Sequence, residues 1–324
     1  MKLKIFLVTG CCGFIGFNFV EAILKKNKNL KVHGIYNFDP YYSIKLKKKR
    51  LSLLKKYKKF SFNNLDIADD KKLTKFFSKK KIDYVYHFAA QAGVRYAMIN
   101  QKKYFDSNIH GFFNLLDNLK EKKPKVIFFS SSGSVYGDSK KYPSTENEIL
   151  YPKNMYSLSK KINEQMAEIY AKQFNIKLIG LRFFTVFGEW GRPDMFLFKY
   201  FNSFFKKKTF FLNNNGNHDR DFTYIKDVVE ALIRMLKLEN KLKNFDLFNI
   251  CSNNPLNLLK VLSFYKKNNI FPKIKNIKLN KADVLKTHGN NKKLLKTIGN
   301  LKFTESKISL MNTLKWYKKN INSF

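Results

Sequence analysis

The chain has 324 residues, of which 44% are hydrophobic, and a formal net charge of +39 at pH 7. This length is enough for one large domain or two coupled domains, and the apolar fraction supports a real core. A run of about 18 consecutive apolar residues is absent, so the sequence excludes a membrane span. We expect no signal peptide, because the short apolar stretch near the N-terminus leads into a glycine-rich loop without a cleavage site.

The large positive charge raises the question of a nucleic-acid partner. Only six of the 63 basic residues are arginine, and Asn, Ile and Phe, which share A/T-rich codons with Lys, are also abundant. The lysines are scattered in pairs, and no basic strip interleaved with aromatic residues stands out. The composition therefore indicates drift toward A/T-rich codons, and we expect neither a nucleic-acid nor a membrane partner.

This drift makes the remaining arginines informative, because a guanidinium binds a carboxylate or phosphate in a bidentate way that lysine cannot reproduce. Four arginines stand in short, distinctive contexts: Arg95, Arg182, Arg192 and Arg220. We expect the other two, Arg50 and Arg234, to form structural ion pairs.

The cysteines show no metal-binding spacing. Cys11 and Cys12 are adjacent, so they cannot easily form a structural bridge, and Cys251 stands far from both in sequence. We therefore expect a reduced, cytoplasmic protein without a metal site.

The first predicted strand is followed by three glycines at regular spacing. Residues 4–8 form a short apolar run rich in strand formers, and residues 14–24 carry apolar residues at helical spacing. Between them, Gly10 can take a tight turn, Gly13 leaves room for a phosphate, and Gly16 allows the helix to pack closely on the strand. The helix N-terminus presents free N–H groups to a pyrophosphate. This order of strand, glycine loop and helix predicts a dinucleotide-binding site.

Strand and helix patterns alternate through the first half of the chain. Further strands are predicted at residues 32–35, 60–62, 85–88, 126–129 and 177–181, and helices at residues 45–59, 71–80, 107–120 and 157–174. This alternation predicts an α/β fold with a Rossmann-type doubly wound parallel sheet. After Arg182 the pattern breaks up into loops and shorter elements, which should form a smaller C-terminal substrate-binding lobe.

Polar residues follow the predicted strands at the edge where such sheets bind ligands. Ser132 ends a run of three serines after the fifth strand, and Tyr156 and Lys160 share one face of the following helix. A lysine ammonium lowers the pKa of a nearby phenol, and the phenolate can then take a proton from a sugar hydroxyl as hydride leaves the same carbon. Ser132 would hold that oxygen by a hydrogen bond. These three residues are the predicted catalytic set.

With these motifs the sequence resembles the extended short-chain dehydrogenase/reductase superfamily, and within it the UDP-glucuronate 4-epimerases. The superfamily pattern consists of Thr-Gly-x-x-Gly-Phe-Ile-Gly at residues 9–16, Ser-Ser-Ser-x-Ser-Val-Tyr-Gly at residues 130–137, and Tyr-x-x-x-Lys at residues 156–160. Longer stretches resemble the epimerases at residues 87–96, 181–188, 190–195 and 220–225.

The resemblance implies a homodimeric, NAD-dependent enzyme that converts UDP-glucuronate to UDP-galacturonate through a transient 4-keto intermediate, for surface polysaccharide synthesis. Residues 1–182, with about 222–250, would form the NAD-binding Rossmann domain. Residues 183–221 and 251–324 would form the nucleotide-sugar-binding lobe. Similar proteins commonly pair through the helix that carries Tyr156.

The matching motif positions also imply the residues of the two ligand sites. Those for the cofactor NAD are Gly10, Gly13, Phe14, Ile15, Gly16, Asp66, Ile67, Ala89, Ala90, Tyr156 and Lys160. Those for the UDP-sugar substrate are Gln91, Arg95, Ser134, Thr185, Arg192, Arg220 and Asp283. Thr185 and Arg192 would grip the C6 carboxylate of the sugar. Arg220 would bind a UDP phosphate, and Asp283 would bind the uridine ribose.

One position departs from the usual dinucleotide site. Asp66 and Ile67 would contact the adenine. The second strand of such folds usually ends in an acid that binds the adenosine ribose. In this chain Tyr36 stands at the position of that acid. Tyr36 itself, or Asp39 from the next loop, can still reach the ribose. Because no arginine is present there to attract a 2′-phosphate, the sequence favours NAD over NADP, with weaker retention of NAD than is usual.

Other functions stay open at the level of the sequence. A UDP-glucuronate decarboxylase shares nearly every motif and differs in how it holds the carboxylate, and a UDP-hexose 4-epimerase would use a neutral pocket. A dehydratase would carry an Asp-Glu pair where this chain has Gly133-Ser134. A dinucleotide-sensing or nucleic-acid-binding protein would have no need of Ser132, Tyr156 and Lys160.

Overall fold

The structure of the protein, a computed structural model, describes residues 3–323 except residues 28, 79 and 140. The strands along these residues are β1 (Lys4–Thr9), β2 (Leu30–Tyr36), β3 (Phe60–Asn64), β4 (Tyr84–His87), β5 (Val126–Ser132), β6 (Leu178–Phe183), β7 (Thr185–Phe187), β8 (Phe210–Asn213), β9 (Asp219–Tyr224), β10 (Phe245–Ile250), β11 (Pro255–Asn257) and β12 (Ile274–Ile277). The α-helices are α1 (Phe14–Lys26), α2 (Ile44–Leu54), α3 (Asp70–Ser78), α4 (Gln101–Tyr104), α5 (Gly111–Leu119), α6 (Met155–Phe174), α7 (Phe196–Phe205), α8 (Ile225–Lys237), α9 (Leu258–Lys267), α10 (Lys292–Ile298) and α11 (Ser306–Asn320).

The central element is a parallel seven-stranded sheet with the strand order β10-β6-β5-β4-β1-β2-β3. The chain winds outward from β1 to β3 and then outward from β4 to β10, so the winding direction reverses between β1 and β4. Ligands of doubly wound sheets bind in the crevice beyond this reversal, at the carboxyl ends of the strands. The predicted Rossmann-type α/β fold is confirmed. Two small sheets, β11-β9-β7 and β12-β8, accompany the large one.

Helices cover both faces of the large sheet, which explains its long apolar runs. Successive side chains of a strand alternate between the faces. In β1, Phe6 and Val8 therefore belong to one hydrophobic cluster and Leu7 to the other. The first cluster includes residues of α1, α8 and α11, and the second includes residues of α3, α5 and α6.

The structure differs from the sequence expectation within the predicted helix at residues 107–120. Residues 105–110 form a wider π-helical turn, and the regular helix α5 begins at Gly111. The turn places Asn108 beneath the loop that follows β4. Its side chain accepts a hydrogen bond from the Gln91 backbone N–H (2.7 Å) and donates one to the Gln91 carbonyl (3.0 Å). This wider turn therefore fixes the course of that loop.

The elements after Arg182 are longer than expected. The prediction of loops and short elements there is wrong, since α8 and α11 have 13 and 15 residues. Strand β10 pairs with β6 and completes the large sheet. The domain boundaries inferred from the sequence stay a prediction. The helix expected at residues 71–80 is α3, and residue 79 lies outside the described residues.

Candidate active site

A cavity of about 830 Å³ opens at the carboxyl ends of the large sheet. This volume lies in the range of small-molecule and cofactor sites. Every residue that the sequence assigned to the catalytic set, the cofactor site or the substrate site lines this cavity. The folding thus brings together all the residues of the candidate site, although the role given to each stays a prediction.

The glycine loop forms the floor of one end of the cavity. Gly10 has a φ of +72°, and a Cβ atom there would lie 2.7 Å from the backbone N of Ala89. A Cβ at Gly16 would lie 2.3 Å from the Gly10 carbonyl oxygen, so helix α1 approaches β1 as closely as the backbone permits. Gly13 precedes the first residue of α1, and no side chain caps this helix start. The free N–H groups of the helix start fit a pyrophosphate, so the residues present fit a dinucleotide cofactor.

The end of β2 provides the neighbouring wall. Tyr36 closes the strand at the position expected for an acid and lines the cavity. Burial and the neighbouring Tyr42 raise the pKa of the Tyr36 phenol well above its ordinary value. The next residue is Asn37, whose amide donates to Asp66 Oδ2 at 2.8 Å. The other oxygen of Asp66, Oδ1, accepts from the backbone N–H of Ala68. The ribose end of the candidate cofactor site therefore carries a neutral phenol beside one hydrogen-bonded carboxylate.

Helix α6 positions the predicted catalytic tyrosine and lysine. Asn154 caps the helix start by accepting from the backbone N–H of Ser157 at 3.0 Å, and the Ser157 hydroxyl accepts in return from the Asn154 backbone. One turn later Lys160 Nζ donates to the Ser130 carbonyl at 2.8 Å. Burial lowers the pKa of Lys160 to about 7, although the charge of Glu164 acts in the opposite direction. Lys160 is therefore tied to the end of β5.

The pKa of the Tyr156 phenol is raised above its ordinary value. Burial is the largest cause, while a hydrogen bond with Ser132 and the positive charge of Arg192 act against it. The Ser132 hydroxyl also accepts from the backbone N–H of Ser134 at 3.1 Å. Ser132 and Tyr156 are thus neighbours, as the sequence predicted, and a base function at neutral pH requires further positive charge near the phenol.

The predicted carboxylate reader Arg192 is held by an acid that the sequence analysis did not single out. Its Nε and one Nη donate to the two oxygens of Asp194 at 3.0 and 2.5 Å. The Tyr41 hydroxyl donates to Asp194 Oδ2 at 3.0 Å. Burial alone would raise the pKa of the Asp194 carboxyl, but the adjacent Arg192 lowers it overall. Thr185, the other predicted carboxylate ligand, begins β7 and lines the same cavity.

The predicted nucleotide end contains two further arginines. Arg220 donates to the carbonyl oxygens of Val284 and Leu285 at 2.6 and 2.9 Å, and burial lowers its pKa. Arg95 forms two hydrogen bonds with Asp283, at 3.2 and 2.7 Å. A guanidinium held by carbonyl oxygens keeps its positive charge available, which suits the predicted contact of Arg220 with phosphate.

Several buried polar atoms at the cavity wall have no hydrogen-bond partner among the described residues. They are Gln91 Nε2, Ser134 Oγ, Asn202 Oδ1 and His218 Nε2. An unsatisfied buried polar group is costly and is usually paired, so such atoms indicate where a ligand or water binds. Gln91 and Ser134 were predicted as substrate residues, whereas Asn202 and His218 carried no pattern that sequence reasoning could use.

The remaining arginines have structural roles. Arg182 is 2% exposed and forms a two-bond ion pair with Glu164 (2.8 Å each), outside the cavity wall. Arg234 pairs with Glu230, as expected. Arg50 differs from the expectation. Within the described part of the chain its guanidinium bonds carbonyl oxygens, including that of Cys12 at 2.9 Å, rather than a carboxylate.

The three cysteines are free and buried, and Cys11 Sγ lies 3.8 Å from Cys12 Sγ. Across the described residues, no cluster of His, Cys, Asp and Glu side chains could hold a metal ion. The helices described here also lack the combination of length and apolar character that crossing a membrane requires.

A glycine cradle for a pyrophosphate, next to a half-buried serine, a half-buried tyrosine and a buried lysine, defines a dinucleotide-dependent enzyme. The chain belongs to the NAD dependent epimerase/dehydratase family, whose model matches residues 6–251. It is 36% identical to UDP-glucuronate 4-epimerase 2 of Arabidopsis thaliana over 96% of this chain and 75% of that protein. It is also 36% identical to a probable UDP-glucuronate 4-epimerase of Rhizobium meliloti over 71% and 67% of the two chains.

Among solved structures, the fold resembles the UDP-glucuronic acid 4-epimerase from Bacillus cereus in complex with UDP-glucuronic acid and NAD. The TM-score is 0.91 at 27% identity, and the match covers 98% of this chain and 99% of that one. The predicted superfamily and the predicted cofactor NAD are confirmed.

Proposed function

We propose that the protein is an NAD-dependent epimerase that inverts C4 of a UDP-uronic acid, interconverting UDP-glucuronate and UDP-galacturonate. One observation carries the proposal: Ser132, Tyr156 and Lys160 share a single cavity with the glycine loop and with Arg192. Relatives named as UDP-glucuronate 4-epimerases, and the Bacillus cereus enzyme bound to UDP-glucuronic acid and NAD, support the choice of substrate.

The chemistry requires a base beside the sugar C4 hydroxyl. The glycine loop and the start of α1 would hold NAD, which would supply a reversible hydride acceptor for C4. Tyr156 removes the hydroxyl proton as hydride leaves and gives a proton back when hydride returns. Ser132 holds the C4 oxygen by a hydrogen bond. Lys160 is tied to the Ser130 carbonyl at 2.8 Å, one helical turn after Tyr156, and in its protonated form it would add positive charge to this part of the site.

The acidic substrate makes a special demand on the site. A 4-keto uronate is a β-keto acid, which loses CO₂ readily when its carboxylate is free to align with the ketone. A rigid guanidinium holds a carboxylate out of alignment better than a flexible ammonium does. Thr185 and Arg192 therefore act on the carboxylate, and this contact separates the epimerase from the UDP-glucuronate decarboxylase. A UDP-hexose 4-epimerase would have no use for a half-buried arginine at this place.

We infer that the protein forms a homodimer through α5 and α6. Large apolar side chains are exposed on the segment from α4 to α6, including Phe105 (52%), Phe113 (45%), Leu158 (40%) and Ile169 (59%). Covering such a face stabilises an association in proportion to the apolar area removed from water. Analytical ultracentrifugation should give a dimer, and Ile169→Glu should shift it toward monomer. A monomeric wild-type protein at micromolar concentration contradicts this inference.

The cellular setting follows from the same chemistry. The free thiols fit a reducing compartment, and we place the enzyme in the cytoplasm. UDP-galacturonate is a sugar donor, and its use in surface polysaccharide synthesis stays a prediction.

The direct test is incubation of the purified protein with UDP-glucuronate, with and without added NAD, followed by proton NMR. UDP-galacturonate should appear without a lasting rise in NADH absorbance. UDP-xylose or a UDP-4-keto pentose as the main product would instead identify a decarboxylase, and conversion of UDP-glucose alone a hexose epimerase. Failure to convert any of these sugars with excess NAD would contradict the proposal.

A further inference from the structure

Arg192, the residue predicted to bind the carboxylate of the sugar, is not free but is one half of an ion pair with Asp194. Asp194 bonds Nε and one Nη of Arg192, and the two side chains are 24% and 18% exposed. A guanidinium has five N–H donors in a fixed plane. Because Asp194 occupies the edge formed by Nε and one Nη, the edge formed by the two terminal nitrogens remains for a second carboxylate.

The side chain of Tyr41, which is far from Asp194 in the sequence, holds the Asp194 carboxylate in place. Its hydroxyl donates to Asp194 Oδ2 at 3.0 Å, and its ring centroid lies 5.6 Å from the Arg192 guanidinium carbon. The backbone N–H of Tyr41 donates to Asp39 Oδ1 at 2.9 Å. Gly93 has a φ of +105°, and a Cβ there would lie 2.2 Å from the Tyr41 hydroxyl oxygen. Tyr41 thus contacts two segments that are distant in sequence, one at Gly93 and one at residues 192–194.

The arrangement has an electrostatic cost, which makes it informative. A carboxylate beside Arg192 reduces the net positive charge that attracts an anionic sugar. A site built for attraction alone would be stronger without Asp194. The pair is therefore useful only if the direction of the guanidinium matters more than its net charge.

We propose that Asp194 and Tyr41 are positioning residues that direct the open edge of Arg192 at the C6 carboxylate of the substrate, and so determine selectivity for the uronic acid and retention of its CO₂. This inference rests on the proposed function. Loss of CO₂ from a β-keto acid requires the breaking C–C bond to lie parallel to the π orbitals of the ketone. A guanidinium of fixed plane that holds the carboxylate keeps the C5–C6 bond of the sugar near the plane of the ketone, and so away from that orientation.

The test uses Asp194→Asn, with Asp70→Asn at the exposed start of α3, outside the cavity wall and outside the proposed dimer helices, as the matched control. Calorimetry would measure dissociation constants for UDP-glucuronate, UDP-glucose and UDP, and NMR would measure the ratio of decarboxylated to epimerised product. For Asp194→Asn we expect binding of UDP-glucuronate to weaken about tenfold while binding of UDP stays unchanged. The share of decarboxylated product should rise, and the control should match the wild type.

The two explanations of Asp194 predict opposite changes in the affinity of Asp194→Asn for UDP-glucuronate. If Asp194 merely neutralises charge, Asp194→Asn will bind UDP-glucuronate more tightly at an unchanged product ratio, and that result overturns the proposal. Tyr41→Phe removes only the hydroxyl and should shift both readouts in the same direction as Asp194→Asn, by about threefold. If Asp194→Asn does not fold, Tyr41→Phe alone tests whether these residues position Arg192. Wild-type protein that converts none of the tested UDP-sugars overturns the proposed function. Wild-type protein that epimerises UDP-glucuronate while Asp194→Asn keeps its affinity and product ratio overturns only this inference.

Discussion

Arg95 and Asp283 pair across the mouth of the cavity, through hydrogen bonds of 3.2 and 2.7 Å, although 188 positions separate them in the chain. Arg95 lies in the loop after β4, and Asp283 lies between β12 and α10. Both were predicted to bind the substrate, and the structure pairs them with each other. A ribose hydroxyl that binds Asp283 would therefore share the carboxylate with Arg95 or take its place.

We predict that Asp283→Asn weakens the binding of UDP about tenfold, because a neutral amide makes weaker hydrogen bonds to ribose hydroxyls than a carboxylate does. Arg95 is 43% exposed, so loss of the pair should change the free energy of unfolding by less than about 1 kcal/mol. Calorimetry with UDP and a urea titration test these two expectations. Asp70→Asn, on α3, is the control. Tighter binding of UDP by Asp283→Asn would mean that the ion pair only obstructs the site.

Tyr156→Phe should reduce the rate of epimerisation by about 10²- to 10⁴-fold, the usual contribution of a general base. Binding of UDP-glucuronate should change little, because the ring remains in place. Tyr57→Phe removes a phenol from a residue outside the cavity wall and should retain full activity. The measurement is the initial rate of UDP-galacturonate formation by NMR. A Tyr156→Phe protein with more than a tenth of the wild-type rate would rule out the phenol as the base.

The phenol should also respond to the cofactor. Its pKa is raised in the ligand-free site because burial outweighs the hydrogen bond with Ser132 and the charge of Arg192. The positive nicotinamide should lower that pKa when NAD binds. Difference absorbance of tyrosinate should therefore titrate at lower pH with NAD than without it, and Tyr156→Phe should lose this shift.

Tyr36→Asp should tighten the binding of NAD about tenfold, since a carboxylate at the end of β2 can accept hydrogen bonds from the ribose hydroxyls. The binding of NADP should not improve, because the new carboxylate repels a 2′-phosphate. Calorimetry with both dinucleotides gives the comparison. Tyr36→Phe, which keeps the ring and removes the hydroxyl, serves as the control. Unchanged NAD affinity in Tyr36→Asp would mean that another residue, such as Asp39, already binds the ribose.

His87 should make the fold sensitive to acid. Burial, with a smaller effect from the charge of Lys160, lowers its pKa from the ordinary 6.5 to about 3, and its Nδ1 lies 2.8 Å from Thr9 Oγ1. Between those two values the unfolded chain binds more protons than the folded one, so stability falls as the pH falls. At pH 5 this single group should cost about 2 kcal/mol relative to neutral pH.

Urea titrations between pH 4 and pH 7 test this expectation. His87→Gln should flatten the pH dependence, whereas His110→Gln, at an exposed position, should not. An equal slope in His87→Gln and wild type would assign the acid sensitivity to other groups.

The sequence was sufficient for the fold and for a set of residues that all line one cavity, because their signals are local, while the role of each residue stays a prediction. A strand, three spaced glycines and an amphipathic helix specify the cradle, and Tyr156 and Lys160 meet because four residues make about one helical turn. The partners of these residues come from distant segments. Asp194 stands in the same short motif as Arg192, but nothing local distinguishes its role from that of a turn residue.

The roles of arginine show the same limit. Four of the arginines retained in this lysine-rich sequence were predicted to bind a carboxylate or phosphate, and three of them, Arg95, Arg192 and Arg220, line the cavity. The sequence could not separate them from Arg182, which uses the same bidentate geometry to hold Glu164 inside the protein. Local sequence shows that a guanidinium is needed, and the carboxylate that it meets is known only once the fold brings the segments together.

All three cysteine thiols are buried, so their reactivity reports the local opening of the protein. Cys11, Cys12 and Cys251 are all 0% exposed, and the first two lie within the glycine loop. A thiol reagent can therefore label the chain only when part of it opens, so the labelling rate measures how often that happens. Bound dinucleotide would close the loop and slow labelling of Cys11 and Cys12, while Cys251 would report the opening of the rest of the fold. The labelling rate of the two thiols in the glycine loop thus reports whether the cofactor site is occupied.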